Sequence, residues 1–179
     1  TTDELSTPAA DASSPATDLS IAAAAGFYDL SAEHPFLRPI SWLVAKRITE
    51  AFSDGTFRPT APVTRQSMAA FLYRLSGSPN GTDPTCSSPP FSDVPISHRF
   101  CGEITWAVTF GLTSGFGDGT FRPSDNITRQ SAATFLYRLA GSPNGTDPSC
   151  GSKGPFSDVP LSNNFCGEIK WAVNQGITS

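Results

Sequence analysis

Within residues 101–110, apolar side chains fall at Ile104, Ala107 and Val108. This i, i+3, i+4 spacing predicts an amphipathic helix, and Gly111 behind it supplies a left-handed stop. Further on, Ala132, Phe135, Leu136 and Leu139 recur at helical spacing between Thr128, a natural N-cap, and Gly141. The same face stands earlier as Met68, Phe71, Leu72 and Leu75, between Thr64 and Gly77. Pro39 takes an early position in the matching first helix, where its lack of an N–H costs nothing. Between the two helices, Asp118-Gly119 marks a tight turn, and Phe116, Phe121 and Pro123 around it predict short extended pieces. The element pattern is helix, turn, helix, then a turn-rich loop.

Whole motifs recur in the same order. Phe-Ser-Asp-Val-Pro at 91–95 returns at 156–160, with a degenerate Phe-Tyr-Asp-Leu at 27–30. Asp-Gly-Thr-Phe-Arg-Pro stands at 54–59 and 118–123, and Phe-Leu-Tyr-Arg-Leu at 71–75 and 135–139. Ser-Pro-Asn-Gly-Thr-Asp-Pro stands at 78–84 and 142–148, and Trp42, Trp106 and Trp171 keep phase with these motifs. The period is 64 to 65 residues. Repeat one spans 27–90, repeat two 91–155, and 156–179 holds the first half of a third. Residues 1–26, rich in Ala, Ser, Thr and Pro, are expected to be a disordered or extended leader; a lesser reading docks 19–25 on a neighbouring subunit.

The cysteines follow the repeat. Cys86 and Cys101 lie 15 residues apart, Cys150 and Cys166 lie 16 apart, and a duplicated module should duplicate its bridge. The expected pairs among the three connectivities are therefore Cys86–Cys101 and Cys150–Cys166, implying an oxidising, extracytoplasmic compartment. No pair has zinc-knuckle spacing, so neither a metal nor a cofactor is expected. A net charge of −4 with no clustered basic residues argues against nucleic acid. No apolar run approaches the length needed to insert in a membrane.

These ordered motifs resemble the S-layer homology repeat of bacterial surface proteins. The likeness rests on Phe-Ser-Asp-Val, Glu-Ile-x-Trp-Ala-Val, Gly-Leu-Thr-Ser-Gly-Phe-x-Asp-Gly-Thr-Phe-Arg-Pro, and Ile-Thr-Arg-Gln followed by Phe-Leu-Tyr-Arg; it covers 27–179. It implies a mainly α architecture, a pseudo-threefold spindle of helix-turn-helix repeats with the third incomplete. It also implies a non-catalytic module at the extracellular bacterial surface or cell wall, noncovalently attached to an anionic, often pyruvylated, cell-wall glycan. By motif, the groove residues are Arg65 and Arg129 with their preceding Thr64 and Thr128, and Trp42 and Trp106 match an aromatic able to stack on sugar. An Arg fork beside a helix N-terminus suits a ketal carboxylate; the competing roles are a core Trp and an Arg that merely ties the turn to a carbonyl or to Asp54 and Asp118. Thr64-Arg65-Gln66-Ser67 and Thr128-Arg129-Gln130-Ser131 lack the Glu of the family's Thr-Arg-Ala-Glu, which removes a capping box. Arg47 and Ala51 replace the glycines matching Gly111 and Gly115, so the same positive-φ junction is expected to be strained in repeat one.

No nucleophile, base or metal constellation recurs coherently. His34 and His98, with Asn163 in the third copy, read as capping or loop residues, and Asp29, Asp93 and Asp158 as turn or cap residues. A second reading is self-assembly: the half-repeat would expose Ile169, Trp171, Val173 and Ile177, an apolar surface that another copy of the chain could cover in a filament or layer.

Overall fold

The computed structural model describes residues 26–82 and 84–178; the leader, including 19–25, lies outside the described residues apart from Gly26. They contain five helices and no sheet: α1 (Leu37–Ala45), α2 (Arg65–Leu75), α3 (Cys101–Thr109), α4 (Arg129–Leu139) and α5 (Cys166–Asn174). The chain forms two compact units, one ending at Pro59 and the other beginning at Thr60.

The first unit holds α1 and the turn at 54–59. Ile40 and Ile48 are buried with Phe27, whose ring lies 5.2 Å from Phe57. Arg47 stands at φ +56°, as Gly111 does at +68° in repeat two. The Arg47 N–H donates to Val44 O and the Ile48 N–H to Leu43 O, the same closing bonds that Gly111 and Leu112 make. Burial of Ile48 and these bonds outweigh the roughly 1–2 kcal/mol that left-handed backbone costs a residue with a Cβ. Ala51, by contrast, does not follow Gly115 into that region.

In the second unit the main packing crosses the repeat boundary. α2, from repeat one, lies on α3 of repeat two; α4 lies on α5; and α2 also meets α4. Each second helix therefore works on both sides. The face read from the sequence carries Leu72, and another carries Ala69 and Tyr73, all at most 1% exposed. Tyr73 meets the Trp106 ring edge-on at 5.3 Å, and Tyr137 meets Trp171 in the same way at 5.3 Å. The Tyr73 hydroxyl donates to Gly81 O and accepts from the Asn80 N–H, and Tyr137 repeats this with Gly145 and Asn144, so each Ser-Pro-Asn-Gly loop is tied to the helix before it.

Both expected bridges are present, with Cα atoms 5.7 Å apart for Cys86–Cys101 and 5.3 Å for Cys150–Cys166. Next to them, Gly102 and Gly167 are required by contact: a Cβ there would run into the carbonyl of Pro84 or Pro148. The Nδ1 atoms of His34 and His98 accept from the Phe36 and Phe100 N–H groups, and Asn163 Oδ1 accepts from the Phe165 N–H, the local role anticipated for this position.

Candidate functional site

The Asp-Gly-Thr-Phe-Arg-Pro turn is organised by side chains, with no extended ladder beside it. Asp118 Oδ1 accepts from the N–H and hydroxyl of Thr120, and its Oδ2 pairs with Arg122 at 2.9 Å; Asp54 does the same with Thr56 and Arg58. The threonine hydroxyls, then the arginines, lower both carboxyls from 3.8 to about 2. A second carboxylate clasps the turn from 28 residues upstream. Asp93 accepts the N–H groups of Phe121 and Arg122 at 2.8 and 2.7 Å, and Asp29 accepts those of Phe57 and Arg58 at the same distances. Burial alone would raise the Asp93 carboxyl, but these two backbone donors lower it overall. Asp54 and Asp118 are thus partners of Arg58 and Arg122, not of Arg65 and Arg129.

Arg65 stands where the N-terminus of α2 meets the repeat-two turn. Its Nε donates to Phe121 O at 2.7 Å, and its guanidinium lies over the rings of Phe116 and Phe121 at 4.7 and 4.5 Å. Burial pulls this guanidinium below its ordinary value, while Asp125 favours its charge. The helix N-terminus is already occupied: the Arg65 N–H donates to Asp125 O, the Gln66 N–H to Pro123 O, and Ser67 N–H to Thr64 Oγ1. In place of a capping-box Glu, the hydroxyls of Thr64 and Ser67 bond each other at 2.9 Å. Thr128 and Ser131 repeat the pair.

Arg129, equivalent by motif, is more exposed, and its terminal nitrogen donates to Thr178 Oγ1 at 2.9 Å. It borders a cleft of about 690 Å³ floored by Leu136, Phe156, Val159, Ile169, Ala172 and Ile177, with Gln130 and Asp158 at its polar rim. The structure therefore makes the two arginine sites unequal.

The tryptophans also part. Trp106 is 4% exposed and has no face open to a sugar, because α2 covers it with Tyr73; Trp42 is 49% exposed. The expected outward surface of the third repeat is largely turned inward. Ile169 is buried, and Trp171 and Val173 are half-buried, since α4 lies on α5; Ile177 alone of the four is exposed. Sequence reasoning missed Phe116 and Phe121 as ring faces for Arg65; their signal was the exact recurrence of the turn with both aromatic positions filled, as Phe52 and Phe57, in repeat one. Among the described residues no group of His, Cys, Asp and Glu could hold a metal ion, and no helix is long and apolar enough to cross a membrane.

A family model described as the S-layer homology domain matches residues 26–69 and 90–133. The chain is similar to a cell surface protein of Thermoanaerobacter kivui, 32% identical over 67% of this chain and 16% of that protein. It is also similar to two Acetivibrio thermocellus proteins. One, cell surface glycoprotein 1, is 36% identical over 50% of this chain and 4% of its own length; the other, a cellulosome-anchoring protein, is 31% identical over 50% and 20%. The chain thus spans a fifth or less of the length of these relatives.

Proposed function

The chain belongs to the S-layer homology family through its first two repeats, and from that premise we propose that it is a non-catalytic module that fastens its protein to an anionic cell-wall polysaccharide. Its place is the extracellular face of a bacterial cell, as it is for the surface proteins it resembles. Disulfide bonding accords with that compartment.

The observation that carries the glycan reading is the way Arg65 is held. The Phe121 carbonyl takes Nε, and two aromatic rings fix the plane of the guanidinium. No described protein group takes its terminal nitrogens, and a fork of this kind, oriented in advance, suits a sugar-borne carboxylate. Arg129 offers the same group with fewer constraints. Thr64 and Thr128 serve by capping the helices that carry the arginines. Trp42, in the first unit, is the most exposed of the three tryptophans, and in the second unit Phe116, 37% exposed, stands beside Arg65 as an aromatic surface.

The test is sedimentation with purified envelope polymer. Arg65→Ala combined with Arg129→Ala is expected to weaken retention at least tenfold, about 1.4 kcal/mol, and added salt to weaken the unaltered protein as well. Thermal melting of the same variant separates lost binding from lost fold. Unchanged sedimentation by a folded double variant defeats the glycan reading.

A further inference from the structure

Asn-Gly occurs twice in the sequence, at 80–81 and 144–145, at the same place in two copies of the Ser-Pro-Asn-Gly-Thr-Asp-Pro linker. Asparagine is among the thermolabile residues, and this pair carries a reaction of its own. The glycine nitrogen, once it loses its proton, can attack the asparagine Cγ; the new N–C bond closes a cyclic imide and the side-chain nitrogen leaves as ammonia. Water then opens the imide at either carbonyl, giving aspartate or isoaspartate, whose main chain runs through the former side chain. A glycine favours the attack because no Cβ shields its nitrogen.

Both asparagines are exposed, so nothing keeps water from them. Their backbone is what holds the reaction back. The Asn80 N–H donates to the Tyr73 hydroxyl at 2.9 Å, and that hydroxyl donates to Gly81 O at 2.7 Å. The Gly81 N–H, whose nitrogen must make the attack, donates to Ser78 O at 2.9 Å. Asn144 is held alike: its N–H donates to the Tyr137 hydroxyl at 2.9 Å, the hydroxyl to Gly145 O at 2.7 Å, and the Gly145 N–H to Ser142 O at 2.9 Å. In a β-turn closed by that last bond, with negative φ at the asparagine, the asparagine ψ is about 0°. The glycine nitrogen then eclipses the asparagine's own nitrogen, whereas the imide needs it to eclipse Cβ. The rotation between the two swings the glycine N–H off the serine carbonyl and the glycine carbonyl off the hydroxyl. The anchor cannot follow, because Tyr73 and Tyr137 are at most 1% exposed, each packed edge-on against a tryptophan.

We propose that Asn80 and Asn144 are self-modifying sites held shut by the hydroxyls of Tyr73 and Tyr137: the asparagine persists while its loop is clasped, and opening of the loop admits imide closure and conversion to isoaspartate. The change runs one way. Isoaspartate puts an additional backbone carbon between the N–H and the carbonyl that the hydroxyl bridges, and adds a carboxylate beside them, so the original clasp does not re-form. The modification therefore records opening of the linker between repeats. It is independent of the glycan reading and stands without it.

The test follows the full 179-residue chain, bridges intact, at mildly alkaline pH beside a blocked Ser-Pro-Asn-Gly-Thr peptide, which has the reactive pair without the tyrosine. Peptide mapping by mass spectrometry reads aspartate plus isoaspartate at each asparagine over time. Gated by local opening, both sites in the folded chain should react at least about tenfold more slowly than the peptide. Tyr73→Phe removes the hydroxyl and keeps the ring; it should speed conversion of Asn80 about tenfold, in line with the loss of its hydrogen bonds, and leave Asn144 in the same molecule unchanged. Tyr137→Phe should do the reverse. Asn126, also exposed but followed by the branched Ile127, should remain asparagine throughout. Equal conversion of the folded chain and the peptide overturns the proposal without recourse to any variant. So does acceleration of both loops together in either variant, which would make unfolding of the whole unit the gate, or an unchanged rate in the loop whose hydroxyl was removed.

Discussion

Gly102 illustrates how a single residue is fixed by its neighbour. It sits in the first turn of α3 beside the Cys86–Cys101 bridge, where a side chain would strike the Pro84 carbonyl. That obstacle is backbone and cannot swing aside, so Gly102→Ala is expected to destabilise the second unit by about 1–3 kcal/mol, the range typical of overpacking, as measured by urea denaturation. The turn carboxylates make a different residue-scale statement. Asp54 and Asp118 are lowered from 3.8 to about 2 in the fold. A carboxyl depressed on folding contributes stability above its unfolded value and loses it as the pH falls towards the folded one. The turns should therefore hold down to about pH 4 and loosen between there and pH 2; Asp118→Asn should flatten this acid limb, followed by amide resonances of Thr120 and Phe121.

At the scale of elements, periodicity made α2, α3, α4 and α5 legible, with Thr64 and Thr128 as caps and the glycines behind each helix as stops. What periodicity does not carry is the partner. It gives the face of a helix, whereas the neighbour depends on the path of the loop, and a helix with apolar residues on two sides gives two answers at once. Met68, Phe71, Leu72 and Leu75 were visible as one face, but Tyr73, among the most deeply buried side chains, lies on the other. Its hydroxyl is paired at both lone pair and proton, to Asn80 and Gly81. Tyr73→Phe removes those bonds while leaving the ring on Trp106, and should cost about 1–3 kcal/mol, as for a buried group left unsatisfied, with faster hydrogen exchange at Asn80. The arginine site was legible only as a motif. That Arg65 is gripped by the next repeat, by residues 51 and 56 positions away, could not be seen in local sequence.

Across the whole molecule, the repeat period and the two bridges were readable because duplication writes them twice. Each bridge closes a short loop between the end of one repeat's turn-rich linker and the first helix of the next. Reduction should cost about 3 kcal/mol per bridge on the loop-entropy account for a 15-residue loop. The expected result is a lower melting temperature under dithiothreitol, with Cys86→Ser plus Cys101→Ser reproducing the first bridge's share.

The grip of α2 on α3 also decides where the polypeptide can be severed. A cut between Pro90 and Phe91, at the join suggested by the recurring motifs, would strip α2 of the helix it shelters and lay bare Tyr73 and Trp106 together. Scission between Pro59 and Thr60 would leave that pair intact. Limited proteolysis should accordingly yield a durable fragment beginning near residue 60, and the heritable modules of this chain and its mechanical ones are out of step by half a length.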